Sequence, residues 1–192
     1  MCIIGVKSMG IKYPSKQTII NCWNNNRHGG GMSWTRGEKL EIFKTMDLSK
    51  FLDKYEDIQR GGDCAMVLHF RIATHGSINI DNCHPFLDAA QGLIFAHNGV
   101  LGIRAVGDWT DSETFFRRYF LPAYKASDWQ EGEKVINKYI GGSRFVFMDD
   151  SGDIRLYGNF NEYRGCMWSN STYLQWGRSN IHLTTRDWED KK

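Results

Sequence analysis

The sequence predicts an α+β layered domain, and three observations support this fold class. Apolar, β-prone runs occur at the start, in the middle and at the end of the chain. Segments with apolar residues at helical spacing lie between these runs in pairs. The length of 192 residues is that of one domain, because domains usually contain about 100 to 200 residues. Strands and paired helices in this arrangement are typical of layered α+β domains.

The first third of the chain predicts one strand and two helices. The apolar residues 2–6 predict a buried strand at the terminus. Ser15 is suited to cap a helix that ends at the asparagines 24–26 and the glycines 29–31. A second helix is expected over residues 49–59, because its apolar residues recur at helical spacing before a Gly-Gly stop.

The middle of the chain predicts two strands and two helices. Residues 64–72 and 92–96 are apolar and β-prone, and each run leads directly into a polar cluster. Binding and catalytic residues are often found in such segments at the ends of regular elements. Helical spacing returns over residues 113–124 and 131–139.

The last part of the chain predicts a hairpin and a final strand. Residues 144–148 and 154–157 are expected to be strands joined by the D-D-S-G turn 149–152. A further extended stretch is expected over residues 166–168. The aromatic and polar tail 176–192 receives no assignment.

The composition excludes several classes of protein. Hydrophobic residues make up 41% and charged residues 24% of the chain, which is typical of a folded domain. The 24 basic and 22 acidic residues give a net charge of +2, which is too even for the basic face of a nucleic-acid-binding protein. All apolar runs are far shorter than the roughly 20 residues that cross a bilayer. We therefore expect neither a nucleic-acid partner nor a membrane span.

The five cysteines predict a reducing compartment. Their number is odd and no C-x-x-C pair occurs, which argues against a disulfide framework and a cysteine-based zinc site. The first residues also lack the basic region and cleavage pattern of a signal peptide. We therefore expect a cytoplasmic protein with free thiols and no metal. His69, His84 and His97 are expected to be structural residues.

Cys2 is the most informative single residue. Methionine aminopeptidase removes an initiator methionine when the next side chain is small, and Cys2 then becomes the first residue. An N-terminal cysteine combines a thiol nucleophile with an α-amine, whose pKa of about 7.7 to 8.0 lets it accept a proton near neutral pH. The alternative is that Cys2 is only a small, unreactive side chain in a strand, since a lone cysteine is more often buried and inert.

Two polar clusters contain groups that bind anions. Residues 69–76 read H-F-R-I-A-T-H-G, and the planar guanidinium of Arg71 is suited to a small carboxylate. Residues 96–99 read A-H-N-G, in which the Asn98 amide and the Gly99 N–H can donate to an oxyanion. Each cluster also has an ordinary explanation, namely a salt bridge at a strand end and an Asn-Gly hairpin turn.

A third polar cluster, together with the Cys2 motif, gives four motifs in a recognisable order. Residues 110–113 read T-D-S-E, which an ordinary capping box at a helix start would also explain. The motifs M-C-x-x-G, F-R-x-A-T-H-G, A-H-N-G and T-D-S-E, in this order, resemble the glutaminase domain of class II glutamine amidotransferases. These domains belong to the N-terminal nucleophile (Ntn) hydrolase superfamily. The resemblance covers residues 2–115 by motif and, more loosely, the region after residue 141.

The resemblance implies a role for each matching residue. Cys2 would be the nucleophile, and its freed α-amine would be the general base. Asn98 and the Gly99 amide would form the oxyanion hole. Arg71 would hold the α-carboxylate of glutamine, and Asp111 would hold its α-ammonium group.

The resemblance also implies the fold and the reaction. The fold would be a four-layer α/β/β/α sandwich of the Ntn hydrolase type. Thr74, His75 and Gly76 would line the amino-acid pocket, with Gly76 permitting a close turn. The enzyme would be a cysteine-dependent glutaminase without a cofactor. It would convert the side-chain amide of L-glutamine into a γ-glutamyl thioester and ammonia, and water would then release glutamate.

The length leads to an expectation about a partner. A single glutaminase-like domain over residues 1–192 leaves no room for a synthase or ligase domain. We therefore expect the enzyme that accepts ammonia to be a separate chain. Two alternatives stay open: an Ntn-type hydrolase of another γ-glutamyl or amino-acid amide, and a non-catalytic binding or regulatory module of the same fold.

Overall fold

A computed structural model describes residues 1–73 and 77–174 of the chain. The strands of this part are β1 (Ile3–Lys7), β2 (Gly30–Thr35), β3 (Leu40–Thr45), β4 (Met66–Phe70), β5 (Phe86–Asp88), β6 (Leu93–Asn98), β7 (Arg144–Asp149), β8 (Ile154–Tyr157), β9 (Asn161–Tyr163) and β10 (Cys166–Trp168). The helices are α1 (Lys16–Asn25), α2 (Leu48–Arg60), α3 (Asp111–Thr114), α4 (Leu121–Ser127) and α5 (Trp129–Tyr139), with a π-helical segment, Phe115–Phe120, between α3 and α4.

The strands form two antiparallel sheets. The first sheet has the order β3-β2-β4-β1-β10-β9, and the second has the order β5-β6-β7-β8. In the first sheet, β1 lies between β4 and β10, with Ile3 opposite Phe70 and Gly5 opposite Trp168. Because of this register, the start of β1, the end of β4 and the residues after β10 lie at the same end of the strands in this sheet.

Three apolar clusters separate four layers of secondary structure. The cluster between the two sheets consists of Ile4, Val6, Ala65, Val67, Ile94, Ala96, Val146 and Met148. A second cluster packs α1 and α2 on the outer face of the first sheet. A third packs α4, α5 and the π-helical segment on the outer face of the second sheet. The four-layer α/β/β/α sandwich expected from the resemblance is therefore confirmed.

Strand β1 shows how the sequence produces this layering. Ile3 belongs to the cluster under the helices, whereas Ile4 and Val6 belong to the cluster between the sheets. Successive side chains of a strand point to opposite faces, so a strand that is covered on both faces is apolar throughout. The short apolar run at the start of the sequence is thus an interior strand, as predicted.

Three helix starts follow from capping side chains. The Ser15 hydroxyl accepts a hydrogen bond from the Thr18 N–H at 3.2 Å, which confirms the predicted cap of α1. The Asp47 carboxylate caps α2 by accepting from the Ser49 N–H at 2.7 Å. The Thr110 hydroxyl caps α3. Each cap supplies an acceptor for a backbone donor that the helix leaves unpaired.

The glycines after α1 are the main difference from the predicted elements. Gly30 and Gly31 begin β2 and do not form a loop, and neither β2 nor β3 was expected. A side chain at Gly31 would collide with the backbone carbonyl of His84, so the strand approaches its neighbour more closely than other residues allow. The short strands β5 and β9 were also not predicted. The tail 176–192 lies outside the described residues.

Candidate active site

One cavity is lined by four of the residues that the sequence predicts to form the functional site. Cys2, Arg71, Gly99 and Asp111 all line it. They come from four places in the fold: the residue before β1, the residue after β4, the residue after β6 and the start of α3. Thr74, His75 and Gly76 lie outside the described residues, so their predicted roles are not tested.

The Cys2 thiol lies against the segment that follows β4. Its Sγ atom is 3.4 Å from the Ile72 nitrogen and 3.5 Å from the Ile72 carbonyl oxygen, so it accepts from one and donates to the other. Burial raises the pKa of the Cys2 thiol, while the Ile72 N–H, the N-terminal charge and Arg71 act in the opposite direction. The thiol is therefore mainly protonated near neutral pH, and a nucleophilic role requires a base.

Arg71 is a buried cation. It is 4% exposed, and its Nη1 atom is buried without a hydrogen-bond partner among the residues the structure describes. Its backbone is fixed on both sides, since its N–H donates to the Gly29 carbonyl at 2.8 Å and its own carbonyl accepts from the His28 N–H at 2.9 Å. Within residues 1–73 and 77–174 no carboxylate forms an ion pair with it. A buried charge is costly unless it is paired, so this guanidinium is suited to an anion that enters the cavity.

Asp111 brings a negative charge to the same cavity. Its Oδ2 atom accepts from the Leu101 N–H at 2.8 Å, and its Oδ1 atom accepts from the Ser112 N–H at 2.8 Å. These bonds fix the carboxylate without neutralising it. Among the described lining residues, Arg71 and Asp111 thus present one cation and one anion that do not pair with each other.

Gly99 provides a backbone N–H at the end of β6. Its φ angle is +150°, and a Cβ atom there would approach Ser143 Cβ to 2.8 Å and His97 Nε2 to 3.0 Å. Only glycine fits this position without displacing its neighbours. Strand β6 pairs with β5, which precedes it, and with β7, which begins only at Arg144, so the Asn-Gly pair is not the hairpin turn that the sequence left as an alternative.

Asn98 lies directly beside this cavity without lining it. Its side chain is 1% exposed, and Nδ2 donates to the Ser169 hydroxyl at 2.9 Å. Its Oδ1 atom is buried without a partner in the described part of the chain. One N–H of the Asn98 amide is thus engaged, and the second is left for another acceptor.

Three buried histidines surround the cavity. His69, His84 and His97 all line it. Burial lowers the pKa of His69 to about 3 and that of His97 to about 4, and it lowers the pKa of His84 well below 6.5. The three rings are therefore neutral near pH 7, so Arg71 is the one cationic side chain among the described lining residues.

His97 is also part of a short polar chain towards Asp111. Its Nδ1 atom is 2.7 Å from the Ser112 hydroxyl, which in turn lies 3.2 Å from Asp111 Oδ1. If the hydroxyl donates to the carboxylate, the imidazole donates from Nδ1, which leaves Nε2 as an acceptor. The sequence analysis treated His97 as structural and did not detect this connection.

Ser169 and Asn170 are site residues that the sequence analysis missed. The Ser169 hydroxyl accepts from the Ile4 N–H at 2.8 Å as well as from Asn98, and the Ser169 N–H donates to the Ile4 carbonyl at 3.0 Å. Asn170 Nδ2 donates to the carbonyl of Cys2 at 2.7 Å. These two residues therefore connect the residue before β1 with the side chain at the end of β6. Their signal in the sequence is two polar residues immediately after a buried strand.

Fold and cavity together define the class of protein. A sandwich of two antiparallel sheets between helices, with the N-terminal strand at its centre, is the Ntn hydrolase type. The family described as class-II glutamine amidotransferases matches residues 8–127, which is more than half of the chain. The chain therefore belongs to the class II glutamine amidotransferase family. The match begins after Cys2 and includes Arg71, Asn98, Gly99 and Asp111.

One relative agrees with this assignment, and two solved structures share the fold. A Haemophilus influenzae protein described as a candidate glutamine amidotransferase is 33% identical over a 90-residue alignment, and the match covers 43% of this chain and 29% of that protein. Glutamine phosphoribosylpyrophosphate amidotransferase from B. subtilis, complexed with ADP and GMP, superposes with a TM-score of 0.52 and 17% identity over 88% of this chain and 41% of its own. A glutamine aminotransferase class-II domain protein from Silicibacter pomeroyi gives a TM-score of 0.50 at 14% identity, covering 88% of this chain and 86% of that one. At these identities, the two structures demonstrate a shared fold only.

The helices of the described ranges, 1–73 and 77–174, are all too short or too polar to cross a bilayer.

Proposed function

We propose that this protein is a glutaminase that hydrolyses the side-chain amide of L-glutamine through a thioester on Cys2. Membership of the family supports the reaction class. The observation that carries the proposal is the buried guanidinium of Arg71, whose Nη1 atom has no hydrogen-bond partner among the described residues, in a cavity that also contains Cys2 and Asp111. An α-amino acid carries one carboxylate and one ammonium group, so a fixed cation and a fixed anion are what its recognition requires.

In this proposal, Arg71 binds the α-carboxylate of glutamine and Asp111 binds its α-ammonium group. The carboxylate of Asp111 is held by two backbone N–H donors, so its position does not depend on the substrate. Because the Arg71 backbone is bonded to residues 28 and 29, the point from which its side chain enters the cavity is fixed before substrate arrives. Binding then costs little reorganisation. Thr74, His75 and Gly76 stay predicted contributors to this pocket.

The proposed nucleophile requires that Met1 is removed. Met1 is 67% exposed, which leaves it accessible to an aminopeptidase. The free α-amine of Cys2 then accepts the thiol proton, and the raised pKa of this thiol makes such a base necessary.

The reaction proceeds in two steps. The Cys2 sulfur attacks the amide carbon of the glutamine side chain, and the thiol proton passes through the α-amine to the leaving nitrogen. The C–N bond breaks, which releases ammonia and leaves a γ-glutamyl thioester. Water then adds to the thioester carbonyl, the C–S bond breaks, and glutamate leaves with the thiol restored. Both steps pass through a tetrahedral oxyanion.

Asn98 and Gly99 are the proposed donors to that oxyanion. The Gly99 N–H lies at the cavity, where a glycine is the only residue that fits. The second N–H of the Asn98 amide is the other donor, while the first stays bound to Ser169. Fixed donors of this kind stabilise the charge that develops in the transition state.

We further propose that residues 1–192 form one glutaminase-like domain, that the protein acts in the cytoplasm and that a separate synthase or ligase subunit receives the ammonia. The family relationship supports glutamine as the nitrogen donor and an acceptor domain or enzyme as the consumer.

The proposal is tested by measuring glutamate and ammonia released from L-glutamine by the full chain with a processed N-terminus. We expect release in equal amounts, and its loss in Cys2→Ala. Cys64→Ala is the matched control, because Cys64 is 5% exposed and lies outside the cavity. Equal activity of Cys2→Ala and wild type would overturn the proposal. Activity towards other γ-glutamyl amides but not glutamine would favour the alternative hydrolase.

A further inference from the structure

A second cavity lies between the β9–β10 hairpin and the segment that leads into α1. It has a volume of about 330 Å³, within the usual range of about 300 to 1,000 Å³ for small-molecule sites. Its walls come from the segment before α1, the start of α1 and the β9–β10 hairpin, and they include Lys12, Tyr13, Tyr163, Arg164, Cys166 and Trp168. No residue of this set lines the active-site cavity.

The floor and the rim of this cavity differ in chemistry. Trp168 and Cys166 at the floor are 1% and 2% exposed. The indole Nε1–H of Trp168 is buried and has no acceptor among the described residues. The exposed residues Lys12 and Arg164 contribute two positive charges, and the lining residues include no carboxylate. An aromatic floor with an unused donor and a cationic rim favours a flat ring that carries a negative group.

Arg164 has a backbone conformation that does not favour arginine. Tyr163 pairs with Cys166, so Arg164 and Gly165 are a two-residue hairpin turn, and both have positive φ angles of 53° and 78°. Asparagine or glycine is the usual residue at the first of these positions, because for other residues the approach of the Cβ atom to the following carbonyl oxygen costs about 1 to 2 kcal/mol in the left-handed region.

The local contacts of Arg164 offset at most part of the conformational cost of its positive φ angle. Its guanidinium lies 5.3 Å from the centroid of the Tyr163 ring, and such an exposed cation–π contact contributes about 0.5 to 1 kcal/mol. No ion pair to Arg164 or Lys12 occurs within residues 1–73 and 77–174. A binding role for the guanidinium accounts for an arginine in a turn that asparagine would stabilise better.

We infer that this cavity binds a planar aromatic anion, of the aryl phosphate or aryl carboxylate class. The ring stacks on the aromatic walls, the indole N–H of Trp168 donates to the ligand, and Lys12 and Arg164 bind its anionic group. This inference does not rest on the proposed glutaminase activity, because the two cavities share no lining residue.

Calorimetric titration of the full chain with phenyl phosphate tests the inference, with benzyl alcohol and inorganic phosphate as probes of the ring alone and the charge alone. We expect phenyl phosphate to bind at least tenfold more tightly than either. Arg164→Asn and Lys12→Gln should each weaken its binding about tenfold, which is the effect of losing one charge-assisted hydrogen bond.

The variants also separate binding from folding. Arg164→Asn should unfold at the same or a higher denaturant concentration than wild type, because it relieves the turn. Lys39→Gln, at an exposed residue outside the cavity, and Cys2→Ser should both bind phenyl phosphate as wild type does. Equal binding of phenyl phosphate and inorganic phosphate would overturn the inference. Wild-type affinity in both Arg164→Asn and Lys12→Gln would also overturn it.

Discussion

Replacing Ser169 with alanine removes the hydroxyl that joins the N-terminal strand to the proposed oxyanion donor. This hydroxyl accepts from the Ile4 N–H at 2.8 Å and from Asn98 Nδ2 at 2.9 Å, and Ser169 is 1% exposed. The substitution therefore leaves two buried donors without an acceptor. We expect it to reduce both the stability of the fold and the rate of the chemical step.

The size of each effect follows from these contacts. A buried donor that loses its partner costs about 1 to 3 kcal/mol, so we expect the free energy of unfolding to fall by about 3 kcal/mol. The freed Asn98 amide can rotate, and a displacement of about 1 Å in a catalytic group costs up to about 100-fold. We expect kcat to fall about 10- to 100-fold. KM for glutamine should stay nearly unchanged, because Arg71 and Asp111 are not touched.

The assay is steady-state glutaminase kinetics beside urea unfolding. Ser33→Ala is the matched control: Ser33 is buried in β2, and its hydroxyl donates to the Glu41 carbonyl at 2.8 Å, away from the cavity. It should lose about 1 kcal/mol of stability and keep its kcat. A wild-type kcat in folded Ser169→Ala would refute the positioning role of Ser169. An equal loss of kcat in Ser33→Ala would do the same.

Three further predictions concern the cavity. Arg71→Lys keeps the charge but loses the planar fork, so KM for glutamine should rise at least tenfold with a smaller change in kcat; an unchanged KM would show that Arg71 does not bind the substrate. Asn98→Ala should lower kcat about 10² to 10³-fold, as expected for an oxyanion donor, and near wild-type kcat would exclude that role. In the folded chain the pKa values of His69 and His97 are lowered to about 3 and about 4. Between about pH 4 and pH 6.5, the unfolded chain therefore binds more protons than the folded chain does. The free energy of unfolding, measured with urea, should therefore fall as pH falls from 6.5 to 5, by up to about 1.4 kcal/mol per pH unit for each histidine, and a flat profile would contradict neutral buried rings.

The predicted elements were most accurate where local chemistry decides the structure. The cap at Ser15 and the apolar run of β1 depend on neighbouring residues, and both are where the sequence predicts them. Strand β2 was missed because its glycines are typical of loops. The close approach of the His84 backbone, which is distant in sequence, explains the glycine at position 31 in this strand.

The sequence predicted those residues of the candidate site that belong to one of the four motifs. One cavity is lined by four of these residues, Cys2, Arg71, Gly99 and Asp111. The spacing of the motifs along the chain could not establish that the four residues lie together. Ser169 was missed, because its role depends on contacts with the Ile4 N–H and the Asn98 amide, far away along the chain. The three cavity histidines were expected to be structural, and their burial beside a cation and an anion became visible only in three dimensions.

The most direct test of the central claim is the intact mass of the untagged protein before and after treatment with a glutamine-analogue diazoketone. The account predicts a chain that lacks Met1 and gains one adduct, which peptide mapping assigns to Cys2. Excess glutamine should protect against the label, and Cys2→Ala should gain none. An unprocessed chain without label, or an adduct on one of the buried cysteines at positions 22, 64, 83 and 166, would contradict an N-terminal cysteine nucleophile.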